Sequence, residues 1–132
     1  MLIEQALMTF LLAQTGITDL VGTRIHFVQA PQDTETPYLV FQKISGVREH
    51  SHDGASGLAN PRFQFSAFAE TYSAAKGVIA ALQTALDGYT GTMGGVGGVY
   101  VGAALYEDEN DLGREDSGLF GVSADYFFWH EE

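Results

Sequence analysis

The stretch PRFQFSAFAETYSAAKGVIAALQTALDG, residues 61–88, contains two hydrophobic repeats in succession. Apolar residues first occupy every second position from Phe63 to Ala69, the period that predicts a β-strand with one buried face. From Thr71 onward the spacing changes to three and four residues, which predicts a helix with Thr71 as N-cap and an end at Asp87-Gly88. The predicted buried stripe of this helix is Ala75, Val78, Ile79, Leu82 and Leu86.

Upstream of this stretch, one helix and two strands are predicted. Residues 2–14 place apolar side chains at helical spacing and predict an amphipathic helix that is capped by Gly16. A short turn that is capped by Thr18 is expected to run to Gly22, followed by a short strand at 25–28. The β-rich segment 38–45 is expected to form a hairpin with the strand of residues 61–69.

Downstream, the segment 88–98 has six glycines and predicts a flexible connection between helix and strand. Residues 99–106 and 120–129 alternate as strands and predict a second hairpin. The order of elements favours an α+β fold: a mainly antiparallel, four- to five-stranded sheet with two helices packed on one face. The length predicts a single domain, residues 1–132.

Such a sheet would have more aromatic residues than one helix-covered face needs. The residues in question are Tyr100, Tyr106, Phe120, Tyr126 and Phe128. An uncovered aromatic face is typical of a protein interface, so an oligomer is expected. Trp129, near the end of the last strand, is predicted to be a packing anchor, either in the core or at a subunit contact.

Composition and charge exclude several classes of function. With 6 Lys plus Arg against 17 Asp plus Glu, the formal net charge of −11 repels a phosphate backbone, so general affinity for nucleic acid is not expected. The absence of cysteine excludes a disulfide framework, a thiolate nucleophile and a cysteine-ligated zinc site, and it suits a cytosolic protein. The acidic, periodic N-terminus predicts neither a secretion signal nor a membrane segment.

The polar stretch 46–60 is longer than an ordinary hairpin loop, and loops of that length are usually functional or mobile. It is therefore the first candidate for a partner contact, through an interaction loop that comprises Arg48, Glu49, His50, His52 and Asp53. The same side chains leave two alternatives open: a small ligand- or metal-binding module, or a hydrolytic site built from Glu49, His50 and Asp53. Because His-x-His on a loop lacks preorganised ligands, a solvated turn is favoured.

A second charged cluster comprises Glu107, Asp108, Glu109 and Asp111. It lacks the register and the distal glutamate of a calcium loop and is interpreted as a solvated hairpin loop. In the expected oligomer these acids would meet a neighbouring subunit, whose Arg48, Arg62 or Arg114 would supply the counter-charge.

The remaining motifs indicate no chemistry. The glycines of 91–98 match no nucleotide-binding motif, and Ser56 lacks the spacing of a nucleophile elbow. The four histidines have no nucleophile or orienting acid that the sequence reveals. We therefore assign no catalytic residue, no cofactor and no metal, and we expect no enzyme.

Several fragments occur in an order and at a spacing that are similar to those of a known family. They are Gly22-Thr23-Arg24-Ile25, Ala30-Pro31-Gln32, Pro37 to Gly46, Phe63-Gln64-Phe65, Ala69-Glu70-Thr71-Tyr72, Tyr106-Glu107-Asp108-Glu109 and Phe128-Trp129-His130. Together they resemble the tail completion proteins of long-tailed bacteriophages, also described as tail-to-head joining or tail terminator-like proteins. The resemblance covers nearly the whole chain, although segment 91–98 does not match the pattern.

The resemblance implies a structural assembly protein of a phage or prophage tail, without enzyme activity. It implies a ring, expected to be a hexamer, at the junction between the tail tube and the head connector. The partners would be other copies of the chain, the tail tube protein and the head connector protein, without a membrane. DNA would pass through the ring without specific binding, because inward-facing carboxylates repel phosphates. The acids Glu107, Asp108, Glu109 and Asp111 would then face either this channel or a neighbouring subunit. The location would be the virion tail, after assembly in the bacterial cytoplasm.

Overall fold

The fold is described from a computed structural model that covers residues 2–46, 48–51, 54–114 and 118–131, the side chains of 48–58 and 113–117 excepted. Within these residues there are three helices: α1 (Ile3–Leu12), α2 (Thr15–Val21) and α3 (Tyr72–Leu86). The same residues form eight strands: β1 (Ile25–Phe27), β2 (Tyr38–Ser45), β3 (Arg48–Ser51), β4 (Gly54–Ala59), β5 (Arg62–Ala69), β6 (Gly91–Met93), β7 (Val99–Arg114) and β8 (Phe120–Glu131).

The strands form one mixed sheet. Its body has the order β1-β2-β5-β8-β7-β6, and every pair within the body is antiparallel except β1 with β2, which is parallel. The β3–β4 hairpin extends the sheet next to the start of β5, because Leu58 and Ala59 pair with Glu131 and His130 of β8, just beyond the pair of Arg62 with Phe127. The predicted α+β class and the mainly antiparallel sheet are confirmed.

The core lies between the helices and one face of this sheet. The alternate residues of β5 from Phe63 to Ala69 are buried as predicted. Phe65 packs edge to face on Tyr126 with ring centroids 5.6 Å apart, and Phe63 does the same with Phe128 at 5.6 Å. Truncating one such buried aromatic typically costs ~3–5 kcal/mol, so these rings contribute strongly to the stability of the fold.

Helix α3 closes this core and begins where the sequence predicts. The Thr71 side chain accepts a hydrogen bond from the backbone N–H of Ala74 at 3.1 Å, which satisfies one of the donors that a helix leaves open at its start. The predicted stripe is confirmed in full, since Ala75, Val78, Ile79, Leu82 and Leu86 are all buried. The strand and helix of residues 61–88 therefore form the centre of the domain.

The prediction of two helices is wrong, because a third helix lies where only a turn was expected. Helix α1 ends at Leu12 with Ala13 as its C-cap, and Gly16 lies inside α2 instead of capping α1. Ile17 and Val21 of α2 are fully buried. Their burial offsets the modest cost of a glycine within a helix, so the chain resumes a helical path.

The predicted number of strands is also too low. The stretch 46–60, expected to be an irregular loop, contains the hairpin β3–β4. The segment 107–114, expected to be a loop, continues β7 and pairs with β8 up to Arg114 opposite Phe120. Ladder hydrogen bonds to a long neighbouring strand thus override the low strand preference of an acidic run.

The glycine-rich segment is a short strand followed by a turn of defined geometry. Strand β6 pairs with the start of β7, and in the following turn Gly95 and Gly97 adopt positive φ angles of 73° and 77°. A Cβ on Gly98 would lie 1.9 Å from the carbonyl oxygen of Met93. The glycines therefore allow this tight turn, and the segment contains a short strand where only a connection was expected.

Within the described part of the chain, no helix is both long and apolar enough to cross a membrane.

Candidate interaction surfaces

The face of the sheet opposite the helices has no helical cover in the described structure. Because side chains alternate along a strand, Gln64, Ser66 and Phe68 of β5 point to this open face, while the residues between them point to the core. Tyr38 of β2 stacks on Phe68 here, with ring centroids 5.3 Å apart. The open face is therefore partly aromatic, as an interaction surface commonly is.

The aromatic residues on this face are mostly not those that the sequence indicated. Tyr126 and Phe128 are fully buried beneath the helices, and Tyr106 packs edge to face on Tyr126 at 5.7 Å. Phe120 pairs with Ala69 and shares the helix-covered side. Of the five predicted residues only Tyr100 lies on the open side, together with Tyr38, Phe68, Phe127 and Trp129. The register shift of β7 between Val101 and Ala103 places Tyr100 and Tyr106 on opposite faces. Phe120 and Tyr126 share one face because β8 alternates against β5 without a shift.

Trp129 lies on the open face and is half-buried. It lines a shallow pocket of about 340 Å³ with Tyr100, Gly102 and Ala103. It does not belong to the buried core. Of the two roles predicted for this indole, a place in the core is not what the structure shows, and a subunit contact stays a prediction.

The acidic cluster lies along strand β7 and is divided between two environments. Lys76 of α3 forms an ion pair with Glu109, and the Tyr72 hydroxyl donates a hydrogen bond to Asp111 at 3.0 Å. Both contacts join the first turns of α3 to β7. The hydrogen bond to Glu109 raises the pKa of Lys76, and that to Asp111 raises the pKa of Tyr72.

The other two acids of the cluster, Glu107 and Asp108, are exposed. Asp108 accepts hydrogen bonds from the backbone N–H of Glu109 at 2.9 Å and from the Asn110 amide at 3.2 Å. These contacts involve no cation. Glu107 and Asp108 are therefore the members of the cluster that are best placed to act on a partner or on DNA.

Arg62, predicted as a counter-charge for a neighbouring subunit, is engaged within its own chain. Its Nη2 atom donates to Oδ2 of Asp125 at 2.6 Å, and its guanidinium lies 5.5 Å from the ring centroid of Phe127. Asp125 is only 5% exposed. The sequence does not reveal this pair, because its partners are separated by 63 positions and meet only through the pairing of β5 with β8.

The predicted interaction loop falls mostly outside the side chains that the structure describes. The backbone of Arg48, Glu49 and His50 forms part of β3, and His52 and Asp53 lie outside the described residues. No group of three or more potential metal ligands occurs among the residues that are described. The loop remains a predicted contact region, and its metal-binding and hydrolytic alternatives fall on side chains outside those that the structure describes.

A groove that the sequence did not indicate crosses the open face. The segment of residues 28–36 runs over β2 and β5 and encloses a space of about 900 Å³ with them. Tyr38, Val40 and Phe68 contribute to its floor, where Gln42 and Gln64 join their amides by a hydrogen bond of 3.3 Å. No sequence motif marks the groove, because its parts come together only when the segment folds back over the sheet.

The fold also occurs in a solved structure described as the virion of a native gene transfer agent (GTA) particle. The TM-score is 0.76 at 18% sequence identity, over 93% of this chain and 90% of the matched chain. No curated protein sequence matches this chain. At this identity the structural similarity establishes a shared fold.

The family model described as "Tail completion protein gp17" matches residues 5–131, nearly the whole chain. This match shows that the chain is a structural protein of phage tails. The chain belongs to the tail completion protein gp17 family, and the resemblance seen in the sequence is confirmed.

Proposed function

We propose that copies of this chain form a ring, expected to be a hexamer, at the junction between the tail tube and the head connector. The observation that carries this proposal is the family match over residues 5–131. The ring would be a structural component without enzymatic activity, and it would enter the virion tail during assembly in the bacterial cytoplasm. Its partners would be the tail tube protein on one side and the head connector protein on the other.

The open face supplies surface for such contacts. Tyr100 is 47% exposed and Leu105 is 46% exposed, and half-buried Trp129 lies beside Tyr100. Large apolar side chains that are clustered at a surface typically mark a site of protein association. The Trp129 region is therefore our candidate for a contact between subunits or with the tail tube.

The charge of the chain is consistent with a channel for DNA. The net charge of −11 would repel a passing phosphate backbone over about one Debye length, ~8–10 Å at physiological salt. Since Glu109 and Asp111 contact α3, the exposed pair Glu107 and Asp108 is the better candidate for a surface that faces the channel. The repulsion would let DNA pass through the ring without binding to it.

Two experiments test the proposal. Deleting the gene should leave heads and tails that do not join, which electron microscopy of lysates would show, and supplying the chain in trans should restore joined particles. Native mass spectrometry of tails dissociated under mild conditions should release a homo-oligomer of this chain. Normal joining without the chain, or its presence in tails only as single copies, would contradict the proposal.

A further inference from the structure

We infer that the groove between segment 28–36 and the open face is a docking site for a basic, extended segment of another protein of the particle. This inference rests on the proposed function, since it assumes a structural chain that must bind other tail or connector proteins. It adds the location of one such contact and the chemistry of the partner.

The floor of the groove suits a long side chain with an apolar stem. Tyr38 and Phe68 stack on each other, and the aliphatic side chain of Val40 lies beside them. The stem of a lysine or arginine packs well on such a surface, and a guanidinium gains further attraction over an aromatic ring. The hydrogen-bonded amides of Gln42 and Gln64 add groups that can pair with a peptide backbone.

The negative charge of the groove indicates that its partner is positively charged. Three exposed acids line it, namely Asp33, Glu35 and Glu70. Among the described residues that line the groove, none is a lysine or an arginine. Three carboxylates above an aromatic floor complement a cationic peptide and disfavour an acidic one.

The wall of the groove is built in a fixed and strained conformation. Val28 and Asp33 both adopt left-handed backbone conformations, with φ angles of 63° and 64°. For a β-branched residue such as Val28 this conformation is a true outlier, and strain of this kind persists only where the surrounding structure holds it. The backbone N–H of Val28 donates to Phe41 O at 3.0 Å, and Arg24 Nε donates to Pro37 O at 3.0 Å, so both ends of the wall are fixed.

A second copy of this chain is a poor source of the basic segment. The chain has only 6 Lys plus Arg. Arg62 and Lys76 are paired with Asp125 and Glu109, and Lys43 lies 3.7 Å from Glu4. A chain with a net charge of −11 therefore has few cations to offer to a neighbour, which favours a different and more basic protein as the partner.

The test uses the whole chain and a defined probe. The 14.2 kDa protein is small enough for nuclear magnetic resonance, so a ¹⁵N-labelled sample can be titrated with the peptide (Arg-Thr)₄ and, separately, with (Glu-Thr)₄. Saturable shifts are expected only with the arginine peptide, concentrated in residues 29–36 and around Glu70. Shifts spread over the acids of β7, or no saturation, would overturn the inference.

A matched pair of variants distinguishes peptide binding in the groove from a general attraction of the peptide to acidic surface. Glu35→Gln with Glu70→Gln removes two exposed charges from the groove, and Glu107→Gln with Asp108→Asn removes two exposed charges from β7. The groove variant should weaken the arginine peptide roughly 2- to 30-fold, the value for two exposed ion pairs, and the β7 variant far less. Equal loss in both variants would overturn the inference.

The groove variant, placed in particles, separates this inference from the proposed ring. It should still form the oligomer but should reduce the yield of joined particles relative to wild type. If the groove variant formed an intact oligomer and joined normally, the docking role of the groove would be refuted, while the proposed ring would be unaffected. Absence of any oligomer from wild-type tails would instead refute the proposed function.

Discussion

Arg62, the first residue of β5, donates a hydrogen bond at 2.6 Å to Asp125 in the middle of β8. The other carboxylate oxygen, Oδ1, is buried and has no hydrogen-bond partner among the described residues. Among the described residues, Arg62 is therefore the cation that pairs with this buried carboxylate. This contact also fixes the start of β5, directly after the β3–β4 hairpin.

Replacing Arg62 by methionine should destabilise the fold by roughly 2–4 kcal/mol, because it leaves a buried carboxylate without its cation. We place the value at the lower end of the range for buried pairs, since the Arg62 side chain is 29% exposed. Urea unfolding followed by circular dichroism would measure the change. Lys43→Met is the control and should cost less than about 1 kcal/mol, because its pair with Glu4 is long and exposed.

The double variant Arg62→Met with Asp125→Leu distinguishes loss of a partner from loss of packing. It should recover most of the lost stability, because no buried charge then remains. If the double variant were as unstable as Arg62→Met alone, the loss of the ion pair would not be the cause of the destabilisation.

Thr71→Ala should destabilise α3 by about 1 kcal/mol through loss of the cap on the Ala74 N–H. Thr84→Ala is a matched control in the same helix, since Thr84 is exposed and bonds only the Ala80 carbonyl of its own helix. Thermal unfolding would compare the two variants. Equal melting temperatures would contradict the capping role.

Neutralising the two halves of the acidic cluster should change the free energy of unfolding by different amounts. Glu109→Gln with Asp111→Asn weakens the contacts of β7 with Lys76 and Tyr72 and should lower the free energy of unfolding. Glu107→Gln with Asp108→Asn should leave stability within about 0.5 kcal/mol, as is usual for surface changes.

The second of these variants also tests the role of the exposed acids. If they face a channel, rings should form normally while DNA delivery slows, and if they face a neighbour, ring formation should change and depend on salt. Particle counts and rates of DNA release at two ionic strengths would decide. If particle counts and rates of DNA release were both normal, these acids would serve only to keep the surface soluble.

Trp129→Ala should affect assembly more than folding. Because the indole is half-buried on the open face, its loss should cost less stability than Phe65→Ala, for which the range is about 3–5 kcal/mol. The expected result is a folded chain that enters particles poorly. A large loss of stability with normal assembly would instead assign Trp129 a role within the fold.

The parts of the fold that were predictable are those in which a local repeat coincides with burial. The β5–α3 unit is an example, since its alternation and its helical stripe both contact the same core, and Thr71 supplies a standard capping signal. Helix α2 was not predictable in the same way, because Gly16 resembles a helix end and only tertiary burial of Ile17 and Val21 extends the helix.

The interaction surfaces were less predictable than the core. Tyr100 and Tyr106 lie on opposite faces because β7 has a register shift between Val101 and Ala103 that alternation alone cannot reveal. Along β8 the alternation is regular, but it does not show which of the two faces the helices cover. The groove and the Arg62–Asp125 pair depend on contacts between residues that are distant in sequence. Composition and periodicity are local properties of the sequence, and neither of them encodes which strands become neighbours.

The central claim, a ring of this chain at the junction of tube and connector, is tested most directly by cryo-electron microscopy of intact particles. We predict a ring of density at the junction, with six copies of the α+β domain fitted side by side and absent from particles that lack the gene. Density for this chain elsewhere in the tail, or a junction unchanged in the deletion, would contradict the claim.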